Sequence, residues 1–241
     1  MPGSFLSSKR IKLFADGADL RSMLELAARP EIAGLTTNPT LMRKAGVSDY
    51  RAFAHEVLAS IRDKPISFEV VSDELEEMRR QAHELSSWGP NVYVKIPITN
   101  SRGDSATELI HDLAHSGVKV NVTGMLTIDQ VRAATQALRG GAPSVSSVFA
   151  GRIADTGRSP LPIMQCALEL CRAADRNIEL LWASPRELYN VIEAEHIGCD
   201  IITVLPDLLR KLPLFGKDLT ELSLETVQMF QRDALAAGYK L

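Results

Sequence analysis

No apolar run in this chain comes near the roughly 18–20 residues that a membrane-crossing helix requires. The amino-terminal stretch MPGSFLSSKRIKLFADGAD meets charge before it can build the hydrophobic region of a signal peptide. Cysteine is scarce: three residues, at 166, 171 and 199, give neither a metal-ligand spacing nor an even set for disulfides, and read as buried thiols in a reducing compartment. Positive charge is not in surplus either. The 27 Lys and Arg are offset by 30 Asp and Glu, a net charge of −3, so there is no basic field for nucleic acid or an anionic membrane. These absences lead to the expectation of a cytoplasmic protein whose partner is a small molecule or another protein.

The glycine-rich phosphate loops are missing too: no G-x-G-x-x-G follows the first strand-like run, and no G-x-x-x-x-G-K-[ST] occurs. What the chain does have is repetition. Eight short apolar runs follow one another: IKLFAD, IAGLTTN, ISFEVV, VYVKIP, VKVNVTG, SVSSVFAG, IELLWAS and DIITVLP. Between them lie segments of helical spacing, at Ala18 to Arg29, Asp49 to Arg62, Asp73 to Ser87, Thr127 to Leu138, Pro160 to Asp175 and Pro185 to His196. Strand and helix thus alternate, which implies parallel strands with crossover helices. Eight units within 241 residues suit a single α/β domain over 1–241, a closed (β/α)8 TIM barrel. A doubly wound open sheet is the alternative architecture. After Phe215 an intermittent apolar face at Leu219, Leu222, Leu224, Val227 and Phe230 predicts an additional C-terminal helix, packed on the barrel or on a neighbouring subunit.

One residue conflicts with its surroundings. In NVYVKIPIT, Lys95 lies between Val94 and Ile96 in a segment that reads as a buried strand. Proline cannot donate a ladder hydrogen bond, so Pro39, Pro97 and Pro185 mark strand ends and place Asn38, Lys95 and Ser184 on the carboxyl rim, where barrel enzymes build their sites. Side chains two apart on a strand share a face. If Val94 and Ile96 face the helices, Lys95 points into the barrel. The same parity groups Phe14 with Asp16, Thr36 with Asn38, Ser67 with Glu69, Asn121 with Thr123, Ser147 with Phe149, and Trp182 with Ser184. Seven strands would then send polar groups to one rim. Any one of these residues alone has an ordinary structural explanation, such as a loop cap or a pair with a structural arginine. Together they have the makeup of a catalytic site. A buried lysine amine among carboxyls suits Schiff-base formation with a carbonyl substrate, because the resulting imine is an electron sink for breaking an adjacent C–C bond. Burial favours the free amine and neighbouring carboxylates oppose it.

The blocks GLTTNPTL, VYVKIPIT, VNVTGMLT, SSVFAGRIADTG and WASPRE, in this order, resemble the signature blocks of the transaldolases. The resemblance implies a class I aldolase-type barrel, without metal or organic cofactor, that moves a dihydroxyacetone unit from a ketose phosphate to an aldehyde acceptor. In it, Lys95 resembles the Schiff-base lysine and Asp16 the acid/base of C–C cleavage. Glu69 and Thr123 resemble the pair that holds a catalytic water. Thr36, Asn38, Asn121 and Ser147 resemble residues lining the dihydroxyacetone site, and Arg152, Ser184 and Arg186 the phosphate clamp. Relatives that act as direct aldolases usually carry glutamine in place of Glu69 and tyrosine in place of Phe149. This chain has the transaldolase residue at both, and phenylalanine cannot relay a proton to an enamine. The compact members that the chain resembles often assemble as rings or decamers, so a homo-oligomer is expected. The resemblance leaves the donor and acceptor sugars open.

The five histidines, His55, His83, His111, His115 and His196, all fall in expected helices or at their ends. His111 and His115 have the spacing of a two-histidine metal face but no third ligand, and read as a solvated helix face. Two other functions are weighed against transfer: a direct aldolase releasing free dihydroxyacetone, and a barrel that binds sugar phosphates without catalysis.

Overall fold

A computed structural model describes residues 11–240. Residues 1–10, where the sequence reads as carrying no signal peptide, lie outside the described residues. Eight strands, β1 (Lys12–Asp16), β2 (Ile32–Thr36), β3 (Ile66–Glu69), β4 (Val92–Pro97), β5 (Val120–Met125), β6 (Ser144–Val148), β7 (Ile178–Trp182) and β8 (Ile201–Val204), pair in sequence order. All neighbours are parallel, and β1 also pairs with β8, so the sheet closes into a (β/α)8 barrel. The open doubly wound sheet is thereby excluded.

The connecting helices are α1 (Leu20–Ala27), α2 (Pro39–Lys44), α3 (Tyr50–Ser60), α4 (Leu75–Ser87), α5 (Thr107–His115), α6 (Ile128–Leu138), α7 (Ala150–Ala154), α8 (Leu161–Ala174), α9 (Asn190–Ile197) and α10 (Pro206–Leu209). Their starts follow local chemistry. Asp19, Asn38 and Asp49 accept from backbone N–H groups in the first turns of α1, α2 and α3, and Thr127 with Gln130 forms a reciprocal capping box on α6.

Two apolar layers hold the barrel together. The outer one lies between strands and helices and includes Val94, Ile96, Val122, Leu180 and Trp182. The inner one fills the barrel with Phe14, Val145, Leu181, Ala183 and Ile201. Gly34 makes the inner layer possible: a Cβ there would lie 2.5 Å from the Phe14 ring, which crosses the barrel beside it.

The structure departs from expectation at three places that bear on the rim. The sixth strand does not run to Gly151 but stops at Val148, and α7 begins two residues later. On β7 the parity is inverted. Leu181 and Ala183 face the interior while Trp182 is buried in the outer layer, so Trp182 and Ser184 do not share an inward face through strand alternation. Ser184 instead follows the strand with a left-handed backbone, φ 58°. The helix expected from Pro185 starts only at Asn190. Asn190 Oδ1 accepts from the backbone N–H groups of Arg186 and Glu187, at 2.8 and 3.1 Å, and so stabilises a turn before the helix.

The expected C-terminal helix is present as α11, Leu219–Ala237, capped by Asp218 and ended by Gly238 with φ 67°. It does not bury a single residue. Leu219 is 78% exposed and Phe230 61%. No helix among the described residues is long and apolar enough to cross a membrane.

Candidate active site

β4 keeps its alternation. Val94 and Ile96 lie in the outer layer, and Lys95 between them points into the barrel with 7% of its surface exposed. Its Nζ donates to the carbonyl oxygen of Thr37, just past the end of β2, at 2.7 Å. In register, Lys95 lies opposite Glu69 on β3 and Asn121 on β5. The ends of three adjacent strands thus bring the lysine, a carboxyl and an amide side by side.

Asp16 closes the group from β1. Burial raises its carboxyl above the ordinary carboxylate range, while the Lys95 charge and the hydroxyl of Thr36 pull it down. Thr36 Oγ1 donates to Asp16 Oδ1 at 2.7 Å. Burial also raises Glu69, Lys95 opposes the rise, and Asp16 adds to it by like-charge repulsion. The two carboxyls and the lysine charge therefore act on one another as one electrostatic unit.

Below this unit lies a chain of fully buried polar side chains. Ser147 Oγ donates to Asn121 Oδ1 at 2.7 Å, and Asn121 Nδ2 donates to Ser67 Oγ at 3.0 Å. Asn121 thus cannot rotate its amide, since its oxygen and nitrogen are each assigned a partner. Thr123, 4% exposed, lies two residues further along β5, toward the rim. Asn38 is more constrained than its parity suggested: its Oδ1 caps α2 by accepting from Leu41 N at 3.0 Å, which leaves only the amide nitrogen free to face the barrel mouth.

The two arginines are positioned by a different route. A Cβ on Gly151 would collide with the carbonyl oxygen of Ser184 and lie 3.2 Å from Arg186 Nε. Glycine at this position lets the start of α7 lie directly against the turn after β7, which carries Ser184 and Arg186. The Arg152 guanidinium lies over the Phe149 ring, 5.4 Å from its centroid. Arg186 is held by Asp155, with Nε 3.0 Å from Oδ1 and Nη2 on Oδ2.

Several contributors escaped the reading from sequence. Thr203 on β8, 4% exposed, is hydrogen-bonded through Oγ1 to Thr36 Oγ1. Its signal was available, since Ile201 faces the interior and Thr203 shares that parity. Tyr50 of α3 donates to the Glu69 carbonyl oxygen at 2.8 Å and packs against Phe68 and Trp88. Nothing local in the sequence announces that contact, nor the one from Asp155.

The histidines lie in α3, α4, α5 and α9, away from the strand ends. His115 Nδ1 donates to the His111 carbonyl at 2.8 Å, and the two rings stack at 4.0 Å. Among the described residues no group of three or more His, Cys, Asp or Glu is placed to hold a metal ion. Cys171 and Cys199 are buried, with burial pushing the Cys171 thiol up to about 12, but Cys166 is only half-buried.

The comparisons with known proteins come from sequence and from shape. A family model described as transaldolase/fructose-6-phosphate aldolase matches residues 13–241. A protein named "Probable transaldolase" from Thermoanaerobacter sp. (strain X514) is 34% identical over 231 residues, 96% of this chain and 100% of that one. Another of the same name, from Methanococcus maripaludis (strain C5), is 33% identical over 88% of this chain and 93% of its own length. Among solved structures, an HpcH/HpaI aldolase/citrate lyase family protein from Burkholderia cenocepacia superposes with a TM-score of 0.58 at 14% identity, covering 93% of this chain and 99% of that one. At that identity the likeness is one of fold alone.

The raised carboxyls have a consequence for stability. A buried carboxyl whose folded-state value lies above its unfolded value stabilises the fold while protonated, and this contribution is lost as pH rises from the ordinary carboxylate value through the folded one. Glu69→Gln has no proton to lose there. In urea unfolding at a series of pH values, wild type should therefore lose stability relative to Glu69→Gln as pH rises above the ordinary glutamate value of about 4.5. A constant difference across that range would show that Glu69 is not desolvated as described.

Proposed function

Given that this chain belongs to the transaldolase/fructose-6-phosphate aldolase family, we propose that it is a transaldolase, transferring a dihydroxyacetone unit between sugar phosphates through a Schiff base on Lys95. The observation that carries the reading is the placement of Lys95: buried inside the barrel, in register with Glu69, and within the electrostatic reach of Asp16.

The steps follow from these positions. The free amine of Lys95 adds to the ketose C2 carbonyl, and loss of water gives a protonated imine. Asp16, as carboxylate, takes the proton of the C4 hydroxyl. The C3–C4 bond then breaks, its electrons flowing into the imine to leave an enamine, and the C4 fragment departs as an aldehyde. The enamine attacks the acceptor aldehyde, Asp16 returns the proton to the new hydroxyl, and water releases the product from Lys95. Glu69 and Thr123 hold that water and pass its protons. Thr36, Asn38, Asn121 and Ser147 hold the dihydroxyacetone portion, which keeps the enamine aimed at one face of the acceptor. Phe149 has no proton to give the enamine, which favours transfer over release of free dihydroxyacetone.

Arg152, Ser184 and Arg186 take the phosphate. Their position at the ends of β6 and β7 puts the anion at one side of the mouth, with guanidinium forks suited to a tetrahedral oxyanion. The unpartnered apolar face of α11 supports a further part of the reading, that the protein is a homo-oligomer, assembled through that helix. A stretch bearing Leu219, Leu224, Val227 and Phe230 in water is otherwise costly for a soluble enzyme.

The experiment that tests the function is borohydride trapping with fructose 6-phosphate, then peptide mass spectrometry. A reduced dihydroxyacetone adduct on Lys95 that disappears when an aldose phosphate is added is expected, and Lys95→Ala should lose both adduct and transfer. No adduct with any ketose phosphate would leave a binding barrel without this chemistry. Arg186→Ala should raise KM for phosphorylated substrates about 10- to 100-fold with a smaller change in kcat, as loss of uniform binding does; an unchanged KM would remove Arg186 from the clamp. Light scattering should give a mass of several subunits for the whole chain and a lower one once α11 is deleted. A monomeric full-length protein would refute the assembly.

A further inference from the structure

The eighth strand was the one not expected to contribute to the rim, yet it supplies a hydroxyl to the most constrained part of the site. Thr203 Oγ1 is bonded to Thr36 Oγ1, and Thr36 Oγ1 donates to Asp16 Oδ1 at 2.7 Å. Both threonines are buried, Thr36 completely. β1 lies between β8 and β2, with Phe14 opposite Thr203 and Asp16 opposite Thr36, so three neighbouring strands hold the chain of hydroxyls in place.

Each hydroxyl carries one proton. Thr36 directs its proton to Asp16, so the bond between the two threonines must use the proton of Thr203. The chain therefore has a direction: Thr203 donates to Thr36, and Thr36 donates to Asp16. Without the Thr203 hydroxyl, Thr36 Oγ1 becomes a buried acceptor with no donor, and nothing fixes the rotation of its own O–H.

We propose that Thr203 is a positioning residue for Asp16, holding the Thr36 hydroxyl on the carboxylate and thereby keeping Asp16 ready to accept the proton released in C–C cleavage. The proposal rests on the role given to Asp16 above. It concerns a hydroxyl in the layer beneath the reacting atoms, which touches no substrate itself.

The expected sign follows from the surroundings. Charged groups facing Asp16 are Lys95 from β4 and Glu69 from β3. Asp19 of the α1 cap and Lys44 of α2 line the cleft beside its backbone. Asp207 of α10 is paired with Arg210 at the surface. A change at Thr203 alters none of these. Burial drives Asp16 toward the protonated form and the Thr36 hydrogen bond drives it back, so weakening that bond moves the acid limb of activity to higher pH.

The test compares Thr203→Val, Thr203→Ala and Thr203→Ser by pH profiles of transfer from a ketose phosphate. The Val and Ala variants should move the acid limb of kcat up by about one pH unit, roughly a tenfold loss below the limb, with KM within about twofold of wild type. Thr203→Ser, which keeps the donor, should restore the wild-type limb. If Val does not fold, Ala decides, since it only removes atoms. An unmoved limb in the Ala variant, or a serine variant that behaves like alanine, overturns the proposal. Imine formation precedes cleavage, so borohydride trapping on Lys95 separates the two readings. An adduct in wild type and variants with an unmoved limb removes only the Thr203 role. Absence of the adduct in wild type removes the Schiff-base function, and this proposal falls with it.

Discussion

The structure is organised around one demand: a lysine side chain and two carboxyls removed from most of the water inside a closed sheet. Taking such groups out of solvent costs several kcal/mol per ion unless charges and hydrogen bonds compensate, and removing one partner of such a set typically costs about 3–5 kcal/mol because the others are left uncompensated. The barrel meets the demand through connectivity. Only a closed parallel sheet places the ends of β1, β3 and β4 around one point, so that Asp16, Glu69 and Lys95 compensate each other. The Thr37 carbonyl accepts from Lys95 and the Thr36 hydroxyl donates to Asp16, which completes that compensation with an acceptor and a donor from β2 and the residue just past it. The apolar layers on both sides of the sheet then serve a purpose besides stability, since they keep the polar groups from relaxing away from one another.

Much of this was legible in the sequence. A strand buried on both faces reads as an apolar run, and a lysine in such a run can avoid the outer apolar layer only by pointing inward. That reasoning gave the inward direction of Lys95 and its register neighbours Glu69 and Asn121, because β3 and β4 pair without a shift and the shifts on β1/β2 and β5/β6 fall away from Asp16 and Asn121. It failed on β7, where Ser184 leaves the strand with a positive φ and alternation no longer governs direction. It ran the sixth strand into the helix that follows it, because SVSSVFAG contains no turn residue before Gly151, whose close approach to Ser184 no local pattern encodes. It overlooked Thr203 because a lone threonine in an apolar run is an ordinary residue until its neighbour across the sheet is known. Asp155 was invisible for a similar reason: its partner is 31 residues away, across a loop, strand and helix whose packing no local pattern encodes.

The two sides of the rim are built on different principles, and the difference suits what each is proposed to hold. On the side of β1 to β5 Asp16, Thr36, Glu69, Lys95 and Asn121 stand on strands and Asn38 caps the helix just after β2, so their positions are tied to the barrel, as the proposed bond breaking would require. On the side of β6 and β7 the groups stand on turns and short helices, where exposure is greater and charges are worth less individually. There the protein uses orientation in place of burial. Asp155 holds Arg186 by Nε and Nη2, so one edge of the guanidinium is occupied and the Nη1 protons are presented outward. The Phe149 ring keeps Arg152 from turning freely, since the guanidinium rests on its face. Both guanidinium groups are thus already held by neighbours, Arg152 by the Phe149 ring and Arg186 by Asp155, so part of the ordering of these long side chains that the proposed anion binding would require is done in advance. The same phenylalanine thus serves as the platform for the arginine and, in the reaction proposed, as a wall without a proton to give.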